Sequence, residues 1–270
     1  MPGRSSESPR ARAEEPGRRR RHGEGARLAA KRARDGRRAD QADPHGDDVA
    51  GGRYRSRSER NFELPRSVLE ELRAVAGTKS AATLERRLAS AAKAYERDRY
   101  REALAALRPV LEAAPASAAA RELHGLTLYR LGRWRPAAKE LRLVHDLTGS
   151  YDQHPVIADC ERALGRLDRV KELWDELRHA GVDREVLTEG RLVMAGALAD
   201  EGELEQAIEL LRAESRLKRN ADLSDLRQWY ALADLYEQAG EVPRARELFR
   251  RVAEQAPELF DAQVRLAALR

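Results

Sequence analysis

Five positions recur along the chain at nearly equal intervals. Asp98, Gly132, Gly165, Gly202 and Gly240 lie 34, 33, 37 and 38 residues apart, and each separates two apolar runs of helical period. Small residues recur seven residues before these positions, as at Ala91, Gly125, Ala195 and Ala233. Five residues after four of them stands another: Ala103, Ala137, Ala207 and Ala245, with Val170 at that place in the third copy. Glycine adopts positive φ without a Cβ penalty, so it ends a helix and lets the chain turn back. Small residues at matched places on either side of such a turn allow two helix backbones to approach. A period in the thirties therefore predicts helical hairpins, each exposing an apolar face that only the next copy can cover. From Thr83 onward no alternating or continuous β-branched run competes with the helical period, and the class is all-α.

The sharpest copy is the last. Trp229, Leu232, Ala233, Tyr236, Gly240, Ala245, Phe249 and Pro257 follow the spacing W-x2-L-[GA]-x2-Y, then A-x3-F, then P. At these residues the sequence resembles the tetratricopeptide repeat family. Other copies are recognisable through Ala91, Ala103, Leu107, Val110 and Pro115; through Gly125, Leu128, Trp134, Ala137, Leu141 and Val144; through Leu167, Val170, Trp174 and Leu177; and through Ala195, Leu198, Leu204, Ala207 and Leu211. The stretches ELHGLTLYRLGRW and AGALADEG are also similar to actinobacterial proteins of this kind. The resemblance implies a right-handed α-solenoid of about five hairpins over residues 83–259, with a concave groove and a capping helix over 260–270. Pro65 ahead of Ser67, Val68, Leu69, Leu72 and Val75, with Gly77 behind them, predicts a short helix within an N-terminal helix and linker at 61–82.

Charge divides the chain. Residues 1–60 hold 17 Arg and Lys against 10 Asp and Glu, a net of +7, so the remaining 210 residues carry −2 of the overall +5. With Met1, Leu28, Val49 and Tyr54 as its sizeable apolar residues, this segment cannot bury enough surface to offset chain entropy and is predicted to be disordered. Only six of the 51 basic residues are lysine, which is consistent with arginine-rich coding as well as with function. Arg18, Arg19, Arg20, Arg21, Arg37 and Arg38 could make phosphate contacts by counterion release, but no base-reading module accompanies them.

Several classes of chemistry are excluded. A single cysteine, Cys160, forms no intramolecular disulfide, and the six histidines show no HExxH spacing. No apolar run approaches 18 residues, and no apolar segment follows the arginine-rich N-terminus; the expectation is a soluble, cytoplasmic chain with no membrane contact. Phosphate-binding and nucleophile motifs are missing, so no cofactor, metal, small-molecule substrate or enzyme activity is expected. His154 with Cys160 and Asp159 could make a thiolate pair, but the helical spacing of Cys160 from Ile157 and Leu164 favours a buried structural residue, and residues 151–155 an inter-repeat loop.

In the family the ligand lies against the first helix of each hairpin, at positions two, five, nine, twelve and thirteen. Carried over residue by residue, the candidates include Glu85, Tyr95, Glu122, Tyr129, Asp159, Arg162, Glu189, Asp200, Tyr230 and Asp234. The full set of such positions holds nine acids and three arginines. The Lys, Asn and Arg set with which chaperone-binding members grip a terminal carboxylate is absent. An acidic wall with three tyrosines would suit a basic or mixed peptide, which makes a non-enzymatic protein-binding adaptor the expected function. The alternative is a nucleic-acid-associated protein that uses its arginine tail.

Overall fold

The computed structural model describes residues 64–269 except 216, 258 and 259. The expected disorder of residues 1–60, and the arginines at 18–21, 37 and 38, lie outside the described residues. Among these residues there are twelve helices and no strand: α1 (Arg66–Ala76), α2 (Thr78–Glu96), α3 (Tyr100–Ala113), α4 (Ala118–Arg130), α5 (Trp134–Thr148), α6 (His154–Ala163), α7 (Leu167–His179), α8 (Arg184–Asp200), α9 (Leu204–Arg212), α10 (Leu223–Gln238), α11 (Val242–Gln255) and α12 (Ala262–Ala268). Helices α2 to α11 pair into five hairpins, and each pair also packs on its neighbours in the chain. The result is an α-solenoid with one continuous apolar core rather than five separate ones.

All five expected turn positions have left-handed backbone, with φ of 58° at Asp98 and 68°, 69°, 84° and 75° at Gly132, Gly165, Gly202 and Gly240. The hydrogen bonds at the five turns are the same. The amide of the turn residue donates to the carbonyl three residues earlier, as Gly132 does to Tyr129 at 3.0 Å. The next amide reaches back five residues, as in Arg99 to Ala94, Arg133 to Leu128, Arg166 to Glu161, Glu203 to Leu198 and Glu241 to Tyr236, all at 2.8–3.0 Å. This closure satisfies carbonyls that a helix end leaves unpaired. Asp98 supports the same backbone without being glycine because short polar residues tolerate it, and its carboxylate accepts the Tyr100 hydroxyl.

The crossings depend on small residues. Ala91, Ala103, Ala137, Ala207, Ala233 and Ala245 have no exposed surface, and a Cβ added to Gly125 would lie 2.7 Å from Leu141. The third hairpin accepts the larger Val170, fully buried, and carries the small Ala158 on α6 at the place matching Ala91 and Ala233.

Three boundaries differ from expectation. Helix α2 begins at Thr78 rather than near 83, because Gly77, at φ 73°, is the only breaker between it and α1; the residues at 78–82 extend the first hairpin, and Ala81 is 2% exposed. His154 and Pro155 already belong to α6, since proline is well suited to a first helical turn. The cap starts at Ala262 rather than 260: Phe260 precedes the helix and stacks on Tyr230 with centroids 5.0 Å apart, while Val264 is exposed.

The longest insertion, between α9 and α10, is held by polar contacts. Asp222 and Asp225 form a reciprocal cap at the start of α10. Buried Asp225 also accepts Lys218 Nζ at 2.8 Å and the guanidinium of Arg184. Gln255 accepts the amide of Ala221 at 2.9 Å. These bonds offset the entropy of an added loop that has little apolar surface of its own.

Candidate binding site on the concave face

The first helices of the hairpins, α2, α4, α6, α8 and α10, form one wall of the solenoid, and side chains link α4 to α6, α6 to α8 and α8 to α10. Between α4 and α6, Tyr129 donates its hydroxyl to Asp159, and Gln153 Nε2 donates to Glu122 Oε1 at 2.5 Å. Between α6 and α8, Arg162 donates to both carboxylate oxygens of Asp200, at 2.5 and 3.1 Å, with Asp159 3.9 Å away on its own helix. Its guanidinium lies so near the backbone of Gly196 that an added Cβ there would stand 2.5 Å from Nη1. Between α8 and α10, Arg227 Nη1 donates to Glu189 at 2.5 Å, and both side chains are nearly enclosed.

The two ends of the wall are occupied by the chain itself. From α1, Arg73 Nε donates to Glu85 at 3.1 Å, and Glu71 accepts the hydroxyl of Ser117 at 2.7 Å and the amide of Ala119 at 3.3 Å. Helix α1 thus bridges α2 and the N-terminal end of α4. At the other end Arg265 of α12 donates to Asp234 at 2.7 Å, to Glu237 at 2.6 Å and to the Tyr230 hydroxyl at 3.3 Å.

These contacts change the expected character of the groove. Glu85, Asp159, Glu189, Asp200 and Asp234 each face an arginine, and two of those arginines, Arg73 and Arg265, lie outside the positions carried over from the family. Their signal was invisible without knowing which helix lies across which. Tyr95 and Tyr129 do not present their rings outward; they are 4% and 6% exposed and pack edge to face on Tyr100 and Trp134. Tyr230 is the partly exposed one, held between Phe249 and Phe260. Tyr95 and Tyr129 occupy the same place in successive hairpins, yet where the third hairpin has Asp159 to meet Tyr129 the second has Leu126, which carries no acceptor. The Tyr95 hydroxyl is consequently buried without a hydrogen-bond partner, and burial pushes its pKa up despite Arg130 nearby.

Glu122 is the exception to arginine pairing. Burial, with Asp152 and Glu71 close by, raises its pKa to about 8 against the help of Gln153. The sign follows from proton counting. Between pH 4.5 and 8 the folded chain holds a proton that the unfolded chain has lost, so stability falls as pH rises through that window. Glu122→Gln is expected to match wild type near pH 4.5 and to be more stable by about 1–2 kcal/mol above pH 8. Chemical denaturation in high salt, where exposed charges are screened, checks it; equal stability at both pH values refutes the assignment.

The weighed thiolate pair has no access to substrate. Cys160 is fully buried in the core. His154, 3% exposed, packs against His145 and Tyr151 and lies 3.4 Å from Glu176, and burial lowers its pKa to about 4. Among the described residues no group of histidine, cysteine and carboxylate side chains could hold a metal ion, and no helix is long and apolar enough to cross a membrane.

Residues 226–269, which comprise most of α10, α11 and α12, match the tetratricopeptide repeat family model. No curated protein matches the sequence. Among solved structures the chain is similar to a thermophilic tetratricopeptide repeat protein of Thermus thermophilus, with 22% identity and a TM-score of 0.54 over 69% of this chain and 98% of that one. At that identity the likeness speaks for fold, and it agrees with the five recurring turns. The chain folds as an α-solenoid of tetratricopeptide-like helical hairpins, and residues 226–269 match the family's repeat.

Proposed function

We propose that this chain is a non-enzymatic adaptor, working in the cytoplasm, that holds a segment of a protein partner along its inner wall. The observation that carries this reading is the division of the wall. Its two ends are tied to α1 and α12, while the middle, from Glu122 through Asp159 and Arg162 to Ala199, keeps half-buried polar and small apolar side chains on the surface. A partner laid there meets both signs of charge, because Glu85, Asp159, Glu189, Asp200 and Asp234 each stand beside an arginine while Glu122 pairs with Gln153. A segment of mixed charge with basic residues at its N-terminal-hairpin end suits this wall better than a uniformly basic one.

A bulky side chain at Ala199, partly exposed on α8, should block the middle of the wall. The full chain is expected to recover a protein partner from lysate in a nuclease-resistant manner, and Ala199→Trp to reduce that recovery about tenfold or more at an unchanged melting temperature. Recovery that Ala199→Trp leaves intact would sink the groove reading. Recovery abolished by nuclease would move the function to nucleic acid, the second reading, which is supported by the +7 charge of residues 1–60.

A further inference from the structure

One cluster on the wall contains acceptors without a matching donor. Gln153 is 4% exposed and points its amide at Glu122, donating through Nε2, while its own Oε1 is buried with no hydrogen-bond partner. Asp152 and Glu71 are close enough for their charges to act on Glu122. On the neighbouring helix Tyr95 also feels Glu122, and its buried hydroxyl has no partner. Glu122 and Asp152 remain half-buried, so the cluster reaches solvent while Gln153 is enclosed. A buried acceptor left unpaired costs about 1–3 kcal/mol, which a bound donor would recover.

The chemistry of the missing group follows from the inventory. The carboxyl groups of Glu122 and Asp152 and the amide carbonyl of Gln153, beside a Glu71 already held by Ser117 and Ala119, call for positive charge carried on several N–H donors. A metal ion is too compact, because no three carboxylate, imidazole or thiolate groups among the described residues converge closely enough to hold one. An ammonium offers its three donors from a single point, whereas a guanidinium spreads five across a plane.

We propose that Glu122, Asp152 and Gln153, with Glu71 beside them, receive the guanidinium of an arginine side chain. This rests on the adaptor reading and names the chemistry of the segment that the wall holds. In the complex, one edge of the guanidinium donates to Gln153 Oε1 and the Glu122 carboxylate, and Asp152 closes the open side. Burial and the neighbouring carboxylates favour the protonated form of Glu122 in the free chain, and an arriving cation favours the ionised form, so the proton passes to solvent on binding. The arginine can come from another protein or from residues 1–60 of this chain, where arginine supplies 16 of the 17 basic residues.

The test uses the full chain at low salt with a short glycine peptide bearing one central arginine, and the same peptide bearing citrulline, its neutral isostere. The arginine peptide is expected to shift the Gln153 side-chain amide in NMR titrations and to release protons at pH 7, seen as a binding heat that depends on the buffer. The citrulline peptide should do neither. Glu122→Gln and Gln153→Leu, each confirmed folded by its melting curve, should weaken the arginine peptide by about tenfold or more, as expected for lost charge-assisted or buried hydrogen bonds. Equal binding of citrulline, wild-type affinity in both variants, or an unmoved Gln153 amide at about 10 mM peptide overturns the proposal; the adaptor reading is judged separately by Ala199→Trp. Replacing Arg18, Arg19, Arg20, Arg21, Arg37 and Arg38 by Gln in the full chain separates the two sources. Tighter peptide binding then identifies residues 1–60 as the occupant, and unchanged binding identifies a second protein.

Discussion

Replacing Phe249 by alanine lowers the stability of the chain by about 3–5 kcal/mol, the cost of deleting a fully buried aromatic ring. Phe249 has no exposed surface and stands on α11 where three helices meet. Its ring receives the edge of Tyr230 from α10 at 5.3 Å, and the Arg265 guanidinium of α12 lies 5.0 Å from its centroid. The substitution therefore removes a packing volume and also the support for Arg265, whose bonds to Asp234 and Glu237 tie down the cap. In a solenoid each repeat is held only by its neighbours, so the damage should be concentrated at the C-terminal end. Urea denaturation measures the loss, and hydrogen exchange should show α12 and α11 opening before α4 and α5. A loss under about 1 kcal/mol, or uniform opening of all hairpins, would show that the last repeat does not depend on this contact.

The opposite error, too much volume, is expected at Gly190. This glycine lies on α8 with ordinary helical backbone, yet an added Cβ would stand 2.2 Å from Leu177 and 3.5 Å from the Trp174 ring of α7. Leu177 is 1% exposed, so its side chain has to repack within the core to make room. Gly190→Leu should destabilise by about 3 kcal/mol or more, at the upper end of overpacking costs, even though leucine is the better helix former. The useful comparison is Gly202→Ala. No atom lies within 4 Å of an added Cβ there, and the cost of about 1–2 kcal/mol comes only from placing a side chain at φ 84°. Paired thermal melts separate the two causes, and equal losses would mean that crowding at the α7 and α8 contact is not the reason for glycine at 190.

The turns and crossings were legible in the amino-acid order. Gly132, Gly165, Gly202 and Gly240 announce a left-handed backbone through their own chemistry, and Asp98 could be placed with them because its neighbours keep the same intervals. Ala91, Ala103, Ala233 and Ala245 were readable for a similar reason, since a crossing within one hairpin is a short-range relation. The class of the fold follows from these local rules, and so does the burial of Cys160.

The site was less legible. The ten positions carried over from the family lie on the first helices of the hairpins, but they did not reveal that Arg73 would reach Glu85 from α1 or that Arg265 would reach Asp234 from α12. Nor could they show that Tyr95 would be buried without a partner while Tyr129 found Asp159. Gly190 carries no local mark at all, since its reason is the Leu177 side chain of the preceding hairpin. Periodicity determines where helices start, stop and pair, because those depend on residues within one or two turns of each other. Which charges are neutralised, which rings are covered and which acceptors are left without donors depend on contacts between hairpins, and only the stacking of the tertiary structure decides those.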